Sequence, residues 1–555
     1  MNRPRRWRER RRPLRAGRSA ILMILTAALA AATARAGDTP RSAASSKPAP
    51  ARPPGRAAFL DRLLEQSWKS AGVTPARPAT DEEYLRRVYL DVLGRIPSVA
   101  EARAFLLTKE PDRREKLVDS LLEHPDYPKN YGTIWTVLLI GRGNQGRMVD
   151  RAALAGWLRK QFAADRPWNE IVNDLVSASG SNKENGAVNY TLAHLEGEAV
   201  PLTSRTTRLF LGQQIQCTQC HDHPSNDWKQ GDFWGINAFF KGLKAEDRTA
   251  VNETGLEAYD HTELRDEPTD AFVRFDKRNG LVGIAFPRFL DGRKISQGTD
   301  VNRRLELARM ISDPKSDLMA RAFVNRMWAH FHGRGFVNPV DDMGPHNAPV
   351  QPEILDKLAL EFKSSGYDVK QLIRWITSGR SYHLSSYKPK GADKEDTLFQ
   401  VMQLRPMTPE QLFDSLLTAT GAHKAGNAQA ADRKRDAWLR QFTFAFGNDE
   451  GEEATNFQGT IPQALMMMNG ELMNDALSGK GGSFLEGAVE QAQQQSRAPG
   501  AYLVNQVYLA ALSRLPNRKE ADRAVHYLEN HPDSLQVVQD LFWALLNSNE
   551  FILIH

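Results

Sequence analysis

The sequence predicts a mainly α, multi-helical two-domain protein with a small β insertion near residues 245–300. Three observations predict it. Apolar side chains recur at helical spacing from about residue 57 to 180 and again from residue 301 to the end. Between them, residues 245–300 turn to alternating or continuous β-branched and aromatic residues. At 555 residues the chain is too long for one core, which divides the reading into 57–300 and 301–555.

The first residues are set apart by charge. Residues 1–36 hold ten arginines, one glutamate and no lysine, a net of +9, against +6 for the whole chain. Arg3 to Arg18 form a positive segment, Ala20 to Ala34 an apolar run of 15 residues, and Ala34-Arg35-Ala36 offers small residues for cleavage. That is the layout of a secretory signal peptide over 1–36, and the run is shorter than the ~20 residues of a membrane span. Residues 37–56, rich in Pro, Ala and Ser, read as a disordered linker. The expectation is a periplasmic or secreted protein with no transmembrane segment after signal removal. Without residues 1–36 the chain carries 63 basic and 66 acidic side chains, a net of −3. A slightly acidic mature chain has no global electrostatic reason to bind nucleic acid, so that partner is set aside.

Within 57–300, Tyr84, Val88 and Leu93 mark one helix and Ala102, Phe105 and Leu106 the next, with Pro97-Ser98 as break and cap. Trp135, Leu138 and Leu139, then Leu154, Trp157, Leu158 and Phe162, continue the pattern. In the β insertion, Phe272–Phe275 and Leu281–Ile284 read as strands joined by a tight turn at Arg278-Asn279-Gly280. In 301–555, Leu355, Leu358, Ala359 and Phe362 make a stripe closed by Gly366. Asp368 then caps a helix carrying Leu372, Ile373 and Ile376. The last helix is expected over Val537–Phe551. A ten-residue pattern, V-Y-L-x-x-L-x-R-x-P, occurs twice, at Val88–Pro97 and Val507–Pro516, each followed by Glu-Ala (Glu101-Ala102 and Glu520-Ala521). It describes a helical hairpin used once in each half, as recurrent packing.

Chemistry concentrates in Cys217-Thr218-Gln219-Cys220-His221-Asp222-His223-Pro224, which contains both cysteines of the chain. Two cysteines three apart cannot be the disulfide framework of a protein this size. Cys-x-x-Cys-His is the pattern of c-type haem attachment: two thiols on one turn reach the two vinyl groups, and His221 follows as proximal iron ligand. Cys217, Cys220, His221 and His223 also suit zinc or copper. A redox-active or purely structural Cys217–Cys220 disulfide is the remaining reading. His223, two residues past the proximal position, cannot reach the far face of the same haem and is an alternative metal ligand. Trp228, Phe233, Trp234, Phe239 and Phe240 could wall a flat cofactor or serve as core. Met343, His346, His330 and His332 are candidate distal ligands, although a lone histidine near a helix end is more often a capping or packing residue; Asp341-Asp342 could bind a metal but reads as solvated. The sequence has no nucleophile elbow, P-loop, dinucleotide fingerprint or HExxH.

Several longer stretches carry a resemblance. Tyr84–Pro97 and Phe210-Leu211-Gly212 leading into Cys217–Pro224 resemble a planctomycete-type, cytochrome-C-associated domain of unknown function. Asn325–Val337, Gly366–Lys370 and Ala544–Phe551 resemble the second domain of unknown function that usually accompanies it. Some relatives carry an additional cytochrome-C domain at the N-terminus; this chain has the linker instead. The resemblance implies an exported, redox-linked protein and no substrate; the expectation for the motif is electron transfer or oxidative chemistry, with exported redox partners. It carries over to Cys217, Cys220, His221 and, less firmly, His223.

Overall fold

Helix caps and apolar stripes set the order of elements. In α1 (Ala58–Ala71) the stripe Leu60, Leu64 and Trp68 is buried, and Gly72 ends the helix in a left-handed conformation. Thr80 and Glu83 form a reciprocal capping box at the start of α2 (Asp81–Leu93), and Ser98 and Glu101 do the same for α3 (Val99–Leu107). Helices α4 (Arg113–Leu122), α5 (Asp126–Ile140), α6 (Arg151–Ala163), α7 (Trp168–Ser177), α8 (Val188–Leu192), α9 (Glu196–Leu211) and α10 (Gln230–Asn237) follow. After the strands come α11 (Arg303–Ile311), α12 (Leu318–His332), α13 (Pro352–Ser364), α14 (Val369–Ser378) and α15 (Pro409–Thr420). The chain closes with α16 (Glu471–Ala476), α17 (Phe484–Gln495), α18 (Pro499–Leu512), α19 (Arg518–Glu529), α20 (Ser534–Leu546) and α21 (Asn549–Ile552).

This computed structural model describes residues 56–555 apart from 144–145, 225, 254, 297, 299–300, 389–397, 425–434, 436, 443–469, 479–482, 496–497 and 532–533. The expected signal peptide and all of the linker but Arg56 lie outside the described residues. Among the described residues no helix is long and apolar enough to cross a membrane.

The mainly α expectation holds; four of the described strands lie in or at the edge of the expected insertion, and three strands of two residues each lie outside it. β1 (Gly180–Ser181), β3 (Glu257–Asp266) and β2 (Leu243–Val251) form one antiparallel sheet in that order. β4 (Val273–Asp276) pairs with β5 (Val282–Ala285), and Gly280 takes a positive φ in the turn between them, where Gly carries no steric penalty. A last pair, β6 (Arg405–Pro406) with β7 (Leu553–Ile554), seats the C-terminus against the middle of the chain. The C-terminal helix differs from expectation. It stops at Leu546, and Ser548 caps a separate turn, its hydroxyl accepting from the Phe551 N–H.

Apolar packing makes a division the sequence reading does not contain. One cluster takes core residues from Ala57 to Met402 together with Leu509, the other from Met407 to Ile554 together with Leu90 and Ile96. Helix α2 belongs to both: Tyr84, Leu85, Val88 and Val92 enter the first, Leu90 the second. Residues 84–93 are therefore buried on every face, and Arg86, Arg87 and Asp91 are buried with them. Buried charges must find partners inside. The Asp91 carboxylate accepts two bonds from Arg405 at 3.0 Å each and one from the Tyr382 hydroxyl at 2.7 Å. Arg87 donates to the carbonyls of Tyr382 and His555. Arg86 donates to the carbonyls of Ala511, in the last turn of α18, and Phe551, at 2.9 and 2.6 Å. Burial lowers both guanidinium pKa values to about 10, still well above neutral pH.

The repeated pattern is one structural device built twice. Arg95 grips the capping-box Glu101 through two 2.9 Å bonds and Asp126, at the start of α5, at 2.8 Å. Arg514 grips the capping-box Glu520 at 2.8 and 3.0 Å, and Glu550, in α21, through two further bonds. Each arginine also lies over the tyrosine of its own repeat, Tyr89 or Tyr508. The unit is thus a helix, a bracketed turn and two further helix starts fixed by one guanidinium.

Removing Asp91 strands its cation in the interior. Asp91→Ala is expected to destabilise the protein by about 3–5 kcal/mol, read as a fall in the urea midpoint. Replacing Asp91 by Leu and Arg405 by Met together should cost less than Asp91→Ala alone, because the two charges leave together. A double variant as unstable as the single losses added would show that the pair is not coupled.

Candidate functional site

The motif begins where α9 ends. Gly212 adopts a left-handed conformation, with its N–H on the Arg208 carbonyl and the Gln213 N–H on that of Thr207. A side chain at Gly212 would also press on Met343, since an added Cβ would lie 3.0 Å from the Met343 sulfur. Ile215 is fully buried and anchors the turn that follows, a 3₁₀ helix over Gln216–Gln219. Thr218 points inward, its hydroxyl donating to the Ile215 carbonyl at 2.6 Å. In a 3₁₀ turn residues three apart eclipse one another. Cys217 and Cys220 therefore share a side, and both thiols are free and exposed.

Helix α10 holds the motif from below. The Gln219 carbonyl accepts from Gln230 Nε2 at 3.1 Å and Trp234 Nε1 at 3.0 Å. Gln230 Nε2 also donates to the Asp276 carbonyl on β4, and Trp234 stacks on Phe275 with centroids 5.6 Å apart. Asp222 accepts from the first N–H of α10, that of Gln230, which together with Lys229 lowers its pKa. The aromatic residues that could wall a cofactor have other tasks: Phe233, Phe239 and Phe240 are core, and Trp234 holds the motif backbone.

The two histidines of the motif are hydrogen-bonded in opposite senses. His221 is exposed, and its Nδ1 lies 2.7 Å from the Asp222 carbonyl oxygen. A carbonyl can only accept, so Nδ1 carries the proton and the neutral ring keeps its lone pair on Nε2. For His223 the backbone N–H of Asn226 donates to Nδ1 at 3.1 Å, so the neutral ring carries its proton on Nε2. Burial, and then the neighbouring His346, lower the His223 pKa.

The structure separates the other candidates. His346 comes to the motif: its ring centroid is 6.0 Å from that of His223, and its Nε2 donates to Asp342 at 3.0 Å. The loop is tied down beside the motif because Asp341 accepts from Arg208 at 2.9 Å and Gln214 at 2.7 Å, and the Met343 N–H donates to the Gly212 carbonyl. Asp341 is thus a buried ion-pair partner, contrary to its reading as solvated. Met343 is buried against Gly212. His330 and His332 stay in the interior, His330 on the Asp91 carbonyl and His332 between the Trp328 carbonyl and the Ser381 hydroxyl. Their role is core satisfaction. The approach of His346 to His223 is what the sequence could not show, since 123 positions separate them. Among the described residues no three His, Cys, Asp or Glu side chains converge as a cage for a metal ion.

Comparison with known families gives two matches in order. Residues 59–245 match PSCyt2, a protein of unknown function (DUF1549), and residues 303–528 match PSD1, a protein of unknown function (DUF1553). No curated protein matches the chain, and no solved structure does.

His332 makes stability depend on pH. Burial, with Arg405 next in importance, pushes its pKa down to about 3. An unfolded histidine takes up its proton near 6.5, so between these values the unfolded chain binds a proton that the folded chain refuses. Stability from this site is complete above about pH 6.5 and falls as pH drops toward 3, by about 2 kcal/mol at pH 5. Urea melts at pH 7 and pH 5 should show His332→Gln losing less stability than the parent over that interval, by about this amount. An identical pH dependence in the two proteins would refute the assignment.

Proposed function

We propose that this chain, which belongs to the paired families DUF1549 and DUF1553, is an exported electron-transfer protein with one c-type haem on Cys217, Cys220 and His221. The observation that carries the reading is the His221 hydrogen bond. With Nδ1 donating to the Asp222 carbonyl at 2.7 Å, Nε2 is the lone-pair nitrogen on an exposed turn. A histidine that ligates a metal through one nitrogen commonly donates from the other to a carbonyl, which fixes ring and tautomer. The donor set fits the group: Cys217 and Cys220 would supply the two thioether sulfurs, and His221 a nitrogen ligand for the iron. A haem bound there supplies a one-electron iron couple. Thr218 and the doubly held Gln219 carbonyl keep the turn fixed beneath the three side chains. All three are exposed, so the group would lie with an edge open to solvent. That suits exchange of electrons with an exported redox partner better than chemistry in a closed pocket.

A second reading, a zinc or copper ion on His223, has one observation in its favour. His346 and its Asp342 partner lie beside the His223 ring, at the distances given above. Against it, the Asn226 N–H occupies Nδ1 of His223 and leaves the neutral ring's proton on Nε2.

The mature chain, exported by cells that also carry a c-type maturation system, is expected to show a Soret band and to keep haem through denaturing electrophoresis. Cys217→Ser with Cys220→Ser should abolish covalent retention, while His223→Ala should leave it unchanged. Protein with no Soret band, its cysteines recovered as thiols or a disulfide, would sink the proposal. Metal analysis of parent and His223→Ala protein would then separate an ion site from a disulfide-bearing scaffold.

A further inference from the structure

The β4–β5 hairpin has two apolar faces and covers only one. Its inner face, Val273, Phe275, Gly283 and Ala285, is buried against the core, with Phe275 on Trp234. On the outer face Ile284 pairs with Arg274 and Val282 with Asp276. Phe286 continues that face and meets Phe272, and the Arg274 guanidinium lies over the Phe272 ring. Leu281 sits at the turn. Leu281 is 61% exposed, Val282 62%, Ile284 57% and Phe286 41%. Exposed large apolar residues that gather in one place mark an interaction site.

Charge selects the occupant. Residues 272–286 carry Arg274, Lys277 and Arg278 against the single acid Asp276, and all four are exposed. The chain without residues 1–36 is net acidic, so this hairpin is a cationic exception on an anionic protein. The other hairpin provides the contrast. It exposes Val251 and Leu256, yet residues 251–257 hold Glu253 and Glu257 and no lysine or arginine. Apolar side chains at a tip flanked by Lys and Arg match a bilayer surface: the apolar groups enter the acyl boundary while the cations remain among anionic headgroups. The hairpin lies in residues 246–302, between the two family matches.

We infer that the β4–β5 hairpin docks the protein on an anionic lipid surface, with Leu281, Val282, Ile284 and Phe286 entering the bilayer and Arg274, Lys277 and Arg278 contacting the headgroups. The inference does not depend on what the Cys217–His221 motif binds, but it sets that motif beside the membrane. The Asp276 carbonyl on β4 holds the same Gln230 side chain that holds Gln219.

Vesicle sedimentation of the mature full chain tests it. The parent should pellet with vesicles of equal phosphatidylglycerol and phosphatidylcholine, less so with phosphatidylcholine alone, and less again as salt rises. Val282→Ser with Ile284→Ser should weaken binding by about tenfold or more, as should Lys277→Glu with Arg278→Glu. Val251→Ser with Leu256→Ser should bind as the parent does. Circular dichroism and melting temperature confirm that each variant is folded. Three outcomes would overturn the proposal: no binding by the parent, equal binding by the folded hairpin variants, or loss of self-association by those variants without vesicles present. The last would make the face a contact between copies of the chain.

Discussion

The carboxylate of Asp91 is the constraint on which the rest of the structure turns. It sits on a helix buried on every face, so water cannot solvate it. An ion held in a protein interior costs several kcal/mol unless its lone pairs are filled. Arg405 and Tyr382 fill them, and each comes from a distant part of the chain. Arg405 stands on β6, whose pairing with β7 brings Leu553 and Ile554 beside it, and it also donates to the His330 carbonyl. Arg87 then takes the carbonyl of the final residue, His555, and Arg86 that of Phe551. One helix thus requires the two apolar clusters and the C-terminus to assemble together.

The repeated bracket works at the opposite end of the scale. A capping box contributes about 1 kcal/mol to the start of a helix. Here the same Glu that completes the box also receives a guanidinium, which reaches on to a second acid at another helix start. Glu101 shows the balance of effects. Its burial alone would raise the pKa, yet Arg95 and the Ser98 N–H bring it down to about 2. The bond network outweighs desolvation, and two helix starts are fixed relative to one another. A sequence that needs the same corner twice has reason to use the same ten-residue pattern twice.

Local chemistry was legible in the sequence, and long-range satisfaction was not. Ser98, Asp368 and Gly366 announced helix boundaries because capping acts over three or four residues, and Asn279-Gly280 announced its turn for the same reason. The Val537–Phe551 helix was overextended because its apolar stripe runs across the break; only the Ser548 side chain, bonding back to Phe551, marks it. A packing role for His330 and His332 follows from their place near a helix end, but their partners, the Asp91 carbonyl and Ser381, are tens to hundreds of residues away and cannot be read from spacing. At the motif, the i to i+3 spacing foretold that the two thiols share a side. Which nitrogen of His221 carries the proton, and that His346 arrives beside His223, depend on backbone placement that spacing does not encode.

The motif itself reverses the logic of the core. In the core Arg86, Arg87 and Asp91 are drawn inward and paired, while Cys217, Cys220 and His221 are turned outward and the unreactive Thr218 inward. A short turn that exposes three such groups would be floppy if it were held only by its own backbone. Two side-chain donors on one carbonyl, Thr218 on another and Asp222 on the start of α10 make it a fixed platform. Rigidity below and openness above suit a group attached by its edge and approached from solvent. The β4–β5 hairpin braces that platform through Gln230, which holds the Asp276 and Gln219 carbonyls, and through Trp234, which stacks on Phe275 and donates to Gln219, so hairpin and motif are tied to the same short helix.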